Sequence, residues 1–302
     1  MKKVIISCMA CLMSLGASAQ NAGIADHLGV SVGVGTTGVT LDVSTMITDY
    51  VGVRAGVDIF PKIKVNTELD LGLEDENSSF QEVKHNIDQI NQAAGHTVID
   101  LSGLPGGNLP EEMDVQGKLS NTTFHFLADV YPFKSSSFHA TVGFYIGGKE
   151  FISVYNKEDG FLKPISDWND VVSHPESLPA SAQQFARDQS MIGAELGDYF
   201  IAPDAAGNAK ATIEVSSFRP YLGIGFGRAV PKKRLACQFD LGAQFWGSPK
   251  VYAPTYDKAT GQYMRQQLTD DHAGGDGGDI IKTISKISVY PSLTVRLVGR
   301  IF

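Results

Sequence analysis

The sequence predicts an all-β fold: a closed antiparallel up-and-down transmembrane β-barrel of eight strands, with long extracellular loops that carry short helices. Three observations predict it. Apolar residues fall on every second position in eight segments of about ten residues. An export signal opens the chain, and no later apolar run approaches the ~20 residues of a spanning helix. The segments that join the strands alternate between short turns and long loops.

The N-terminus reads as a cleaved signal peptide over residues 1–19. Lys2 and Lys3 precede an apolar stretch from Val4 to about Leu15, and Ala17-Ser18-Ala19 is a small-x-small cleavage pattern. Cleavage before Gln20 takes the formal charge from −8 to −10 and leaves Cys237 as the single cysteine. No intrachain disulfide then holds the exported chain, so the fold alone must do so. An acidic chain also lacks the electrostatic footprint for nucleic acid.

The strands follow in order. Segment 27–35 sets Leu28, Val30, Val32 and Val34 against Gly29, Ser31 and Gly33; segment 39–48 sets Val39, Leu41 and Val43 against Thr40, Asp42 and Ser44. Segment 51–60 sets Val53, Val57 and Ile59 against Arg54, Gly56 and Asp58. Segments 123–133 and 137–148 alternate Phe124 and Phe126 with His125 and Asp129, and Phe138 and Val142 with His139 and Thr141. Segments 217–228 and 235–246 put Arg219, Tyr221, Gln238 and Asp240 on the polar face. The last segment, 287–302, sets Val295 and Leu297 against Arg296 and Arg300. The joins at 48–50, 134–137 and 231–234 are short. The alternate joins are 35–38 and then long loops at about 61–118, 149–215 and 247–284. An even strand count puts both ends in the periplasm, and the count becomes ten if 151–156 and 211–216 are barrel strands of their own.

A chain that stops inside its last strand, at Phe302, closes a barrel by pairing that strand with the first. In this the sequence resembles the small eight-stranded outer-membrane barrels of the OmpA and OmpX type, and the Gly-Arg-Ile-Phe ending resembles those of Bacteroidetes barrels. The resemblance implies a multi-pass barrel of the outer membrane, contact with its lipid, and reading of the terminal Phe302 as an assembly signal by the barrel-assembly machinery. In that family the apolar residues run in step with the final aromatic; here Leu293, Val295, Leu297 and Ile301 are one residue out of step.

The candidate site is the barrel interior. Parity turns Arg54, Arg219, Arg296 and Arg300 inward with Asp42, Asp58, Asp129 and Asp240, a charge balance that favours ion pairs filling the lumen. Arg54 falls diagonal to Asp42, within an arginine's reach. His125 and Asp129 share a face about 13 Å apart, too far to bond, and no Gly-x-Ser-x-Gly is present, so the expectation is a non-catalytic protein without a cofactor. Asp270, Asp271, Asp276 and Asp279, in a glycine-rich tip, are the calcium candidates. The loops hold whatever is specific. Residues 78–95 read as an amphipathic helix capped by Ser79 with Glu82 and ended by Gly95, and 181–196 is a weaker helical stretch. Loop 61–118 carries eleven Asp or Glu against Lys62, Lys64, Lys84 and Lys118. The expected role is display of acidic surface loops for an unidentified extracellular ligand or partner, or for envelope maintenance. The alternatives are a small-solute or ion pore and, after it, an outer-membrane enzyme.

Overall fold

The computed structural model describes residues 28–70, 79–109, 112–187, 189–257, 260 and 262–301. The expected signal peptide and Phe302 lie outside the described residues. In chain order the elements are β1 (Leu28–Gly35), β2 (Gly38–Thr48), β3 (Val51–Ile59), β4 (Ile63–Asp70), α1 (Phe80–Ala94), β5 (Glu112–Leu119), β6 (Thr122–Val130), β7 (Phe138–Gly147) and β8 (Glu150–Asn156). Then come α2 (Lys163–Ser173), α3 (Ala180–Arg187), β9 (Ala194–Leu196), β10 (Tyr199–Ile201), β11 (Lys210–Glu214), β12 (Phe218–Phe226) and β13 (Leu235–Phe245). Last are β14 (Lys250–Asp257), β15 (Gln262–Leu268), α4 (Asp270–Ala273), α5 (Gly275–Ser285) and β16 (Val289–Arg300).

Eight strands close an antiparallel barrel in the order β1-β16-β13-β12-β7-β6-β3-β2. The last strand pairs with the first, Val32 opposite Leu297, so the terminal strand has no free edge. The alternation does what the period requires. Val30, Val32, Phe124, Phe126, Leu222, Ile224, Leu241 and Val295 are exposed, while between them His125 and Gly223 are buried and Ser31 is half-buried. The short joins gather at one end. Between β2 and β3, Thr48 Oγ1 accepts from the Tyr50 and Val51 amides, and the exposed Lys134 pairs with Asp49 at 3.0 Å. At the other end Gly38, at φ 102°, turns β1 into β2 where a side chain would strain the backbone.

The long joins are folded. Beyond the barrel wall, β4, β5, β8, β11, β14 and β15 form a second sheet in that order, with the β9–β10 hairpin pairing β14 after β11. The segments 151–156 and 211–216 thus supply strands, but to this sheet, and the barrel count stays at eight. Its side-chain parity is inherited from the barrel. Pairs Ile59–Thr122 and Ile63–Leu119 put the extra residue on the β3–β4 side, so β5 runs into β6 without a shift. Leu119, Gly117 and Val115 therefore face the same way as Thr123 and His125, toward the axis. A bulge at Phe151 brings β8 into line. The inner face reads Ile63, Leu119, Ile152, Ile213, Val251, Leu268 across six paired strands.

Helices pack on that inner face. α1 has its full capping box: Ser79 Oγ accepts from the Glu82 amide, the Glu82 carboxylate accepts from the Ser79 amide, and Gly95 closes it at φ 75°. It buries Val83, Ile87 and Ile90 against Met113, Val115, Leu162, Ile165, Trp168 and Ala186, each worth roughly 1.5–3 kcal/mol of transfer. The stretch expected to be helical over 181–196 ends as helix at Arg187, and 194–196 is strand β9, because its residues go to the sheet beside β10. A second small core joins Ala253 and Leu268 to Tyr199, Ala273 and Ile281. Half-buried beside these cores, the Tyr263 hydroxyl is pushed up to about 12 by burial and donates to the Ser166 carbonyl.

The ion-paired barrel interior

Strand parity delivers polar side chains to the lumen from every wall, and the barrel is too narrow to solvate them separately. Arg54, Arg219 and Arg296 and the carboxylates Asp42, Asp58, Asp129 and Asp240 are all buried there. Arg300 is not. It stands exposed at the end of β16, where the lumen has ended.

Asp240 on β13 is the hub. Arg54 reaches it from β3, on the opposite wall, through both terminal nitrogens at 3.1 Å. Arg296 Nη1 shares its Oδ2 with Arg54 at short range, and His139 Nε2 lies 2.9 Å from Oδ1. Arg54 Nη2 also donates to Asp129 at 2.8 Å, where Thr141 Oγ1 adds a bond of 2.7 Å. Asp42 does not take Arg54, the partner that local register suggests. It takes Arg296 Nε at 2.8 Å, with Ser31 and Thr40 hydroxyls on the same carboxylate. The long arginine crosses the lumen behind β1, which adjacent-strand geometry does not anticipate.

His125 joins Asp42 to Asp58. Its Nδ1 is 2.6 Å from Asp58 Oδ2; Nε2 is 2.7 Å from Asp42 Oδ1, but out of line for a hydrogen bond. Asp58 also accepts from Thr37 Oγ1 at 3.0 Å. Contacts therefore run unbroken from His139 through Asp240, Arg296, Asp42, His125 and Asp58 to Thr37. The histidines fall on the inward parity of β6 and β7, so the sequence placed them in the lumen. Their carboxylate partners lie on other walls, and no periodicity states that.

Asp129, His139 and Asp240 bring one ligand atom each within 4.8 Å of one another. Arg54 and Arg296 already occupy these carboxylates, so a cation there would sit against two guanidiniums. Among the described residues the tip carboxylates form no such group. Asp270 and Asp271 fall in α4 and Asp276 and Asp279 in α5, so the glycine-rich segment is helical and spreads them along two helices.

Both ends of the lumen are covered. At the short-turn end, residue Ala229 of the β12–β13 join tucks under the barrel. Its amide donates to the Tyr131 hydroxyl at 2.8 Å, and its carbonyl accepts from Ser44 Oγ at 2.5 Å, on the far wall. At the other end Trp246 stacks on Tyr290 with centroids 4.4 Å apart, and Phe151 lies 4.7 Å from Trp246. Between them Leu127, Tyr145 and Tyr221 fill the section with rings and aliphatic carbon.

No family model matches the chain, and no curated protein matches it. Among solved structures it is similar to Acinetobacter baumannii CarO at 13% identity, covering 91% of this chain and 97% of that one, with a TM-score of 0.41. CarO2 of the same organism gives 14% identity, 91% and 98% coverage and a TM-score of 0.41. A major outer membrane protein from Thermus thermophilus gives 12% identity, 91% and 98% coverage and a TM-score of 0.38.

Proposed function

We propose that this chain is a plugged, non-catalytic barrel of the outer membrane that holds a folded external sheet and its helices at the cell surface for interaction. One observation carries the reading: around the eight-stranded barrel, exposed or half-buried apolar side chains on the outside alternate with an inward set of buried polar residues and glycines. That is the inside-out pattern a bilayer demands of a closed barrel. The ion pairs and rings in the lumen weigh against a pore. Asp42, Asp129 and Asp240 are clamped by arginines and Asp58 is held by His125 and Thr37, which weighs against acid–base chemistry. For the displayed surface, an open cavity of about 490 Å³ is floored by Leu104, Met113 and Phe161 and edged by Glu68, Glu112, Asp114 and Glu158. Such chemistry suits a cationic partner. Outer-membrane lipid and the barrel-assembly machinery are the other partners of this reading.

The test is membrane fractionation with heat-modifiable gel migration. The chain should sediment with the outer membrane and migrate differently before and after boiling. A soluble or inner-membrane chain with unchanged migration overturns the reading.

A further inference from the structure

The outer rim of the lumen holds a cation without a counter-charge. Arg219 is buried; its Nε donates to the Ser216 carbonyl at 2.7 Å and its Nη2 to the Gly148 carbonyl at 2.6 Å. The guanidinium lies 5.5 Å over the Trp246 ring. Among the described residues no carboxylate pairs with it, and Nη1 has no acceptor. A buried charge held only by carbonyl dipoles is a costly arrangement. Beside it stands a second open donor. Gln244 pairs across the sheet with Tyr221, which sets it diagonal to Arg219. Its Oε1 accepts from Trp246 Nε1 at 3.2 Å, while its buried Nε2 donates to nothing.

Immediately above, the inner face of the external sheet is aliphatic and partly uncovered. The helices cover Met113 and Val115, but the rows below them, Ile63, Val65 and Val154, are exposed. Gly117, between Val65 and Val154 in the pairing, leaves open space over the wall. Phe151, half-buried at the bulge of β8 and three residues before Val154, has its ring 4.7 Å from Trp246.

We propose that this cup binds a monocarboxylate with an aliphatic body, its carboxylate on Arg219 and Gln244 and its chain along Ile63, Val65 and Val154. One guanidinium matches one carboxylate in charge and in its planar fork. The apolar wall rejects a fully polar anion, and the acidic external surface disfavours polyanions. The Phe151 ring is the cover that gives way. This reaches beyond surface display, and it rests on the barrel reading only for the orientation of the cup toward the cell exterior.

The probe is α-bromo-octanoate, whose bromine quenches a neighbouring tryptophan, added to the full barrel refolded in phosphatidylcholine vesicles. Saturable quenching of Trp246 is expected, while the methyl ester and octyltrimethylammonium give only the linear response of partitioning into lipid. Arg219→Gln should raise the half-saturating concentration about tenfold or more, and Arg219→Lys should recover part of it. Val154→Asp, outside the barrel wall, should weaken the carboxylate response without touching the rim, and serves where Arg219→Gln fails to refold. Linear quenching by the carboxylate, an ester response equal to it, or unchanged midpoints in Arg219→Gln or Val154→Asp overturn the proposal. Heat-modifiable migration of the same samples reports the barrel separately, so the site can fail while the barrel stands.

Discussion

At the scale of single residues, the lumen concentrates its stability in Asp240, which faces Arg54, Arg296 and His139 together. Replacing it by Asn takes one carboxylate charge from two buried guanidiniums, leaving Arg54 with Asp129 alone and Arg296 with Asp42 alone. The expected loss is about 3–5 kcal/mol, the usual cost of removing one partner from a buried pair. Denaturant unfolding in lipid vesicles measures it, and a loss below about 1 kcal/mol, the scale of an exposed pair, would remove Asp240 from the centre of the network. The outward neighbour tests the face assignment. Leu241→Arg should cost about 2–4 kcal/mol near the bilayer midplane. Gly242 is not the mild control that its parity suggests. A Cβ there would run into the Tyr221 phenol and the Leu222 carbonyl, so Gly242→Ser should also destabilise, by overpacking of roughly 1–3 kcal/mol. The same titration checks both.

At the scale of elements, legibility followed how strongly each pattern depends on one environment. The eight barrel strands were readable because an outer face and a lumen of opposite polarity enforce a period of two along them. α1 was readable because Ser79, Glu82 and Gly95 spell its ends in local chemistry. α2 was not: its N-cap is Leu162, with no side-chain cap, and it buries Ser166 and Asn169 among its apolar residues. α5 was not either, since Gly274 to Gly278 look like a mobile tip, yet the helix begins at Gly275 and packs against Leu196 and the β14 wall. The strands of the external sheet alternate, but one face meets helices and the other water, and the segments are short. The lumen residues were legible as a set through parity. Their pairings were not, since Arg54 meets Asp240 across the full width of the barrel and only the closed ring brings them together. Topology gives the element-scale prediction. An epitope inserted near Gly107 should be accessible on intact cells and one near Lys233 should not; the reverse labelling overturns the assignment of ends.

At the scale of the whole molecule, an ion-paired interior covered at both ends predicts poor conduction. Planar-bilayer recording of the refolded protein should show no porin-sized steps, and reproducible large steps would promote the pore. The Ala229 turn also makes a mechanical object of the barrel. It leaves the wall at β12 and bonds to Ser44 on β2, four strands away in either direction around the ring. A hoop of strands resists stretching but flattens easily into an oval. A tie across its diameter removes that soft mode, as a spoke does for a rim. Arg54 and Asp240 form a second spoke at mid-height, from β3 to β13. Any lateral pressure that would squeeze an empty hoop must here break hydrogen bonds first, so the cross-section stays round under load.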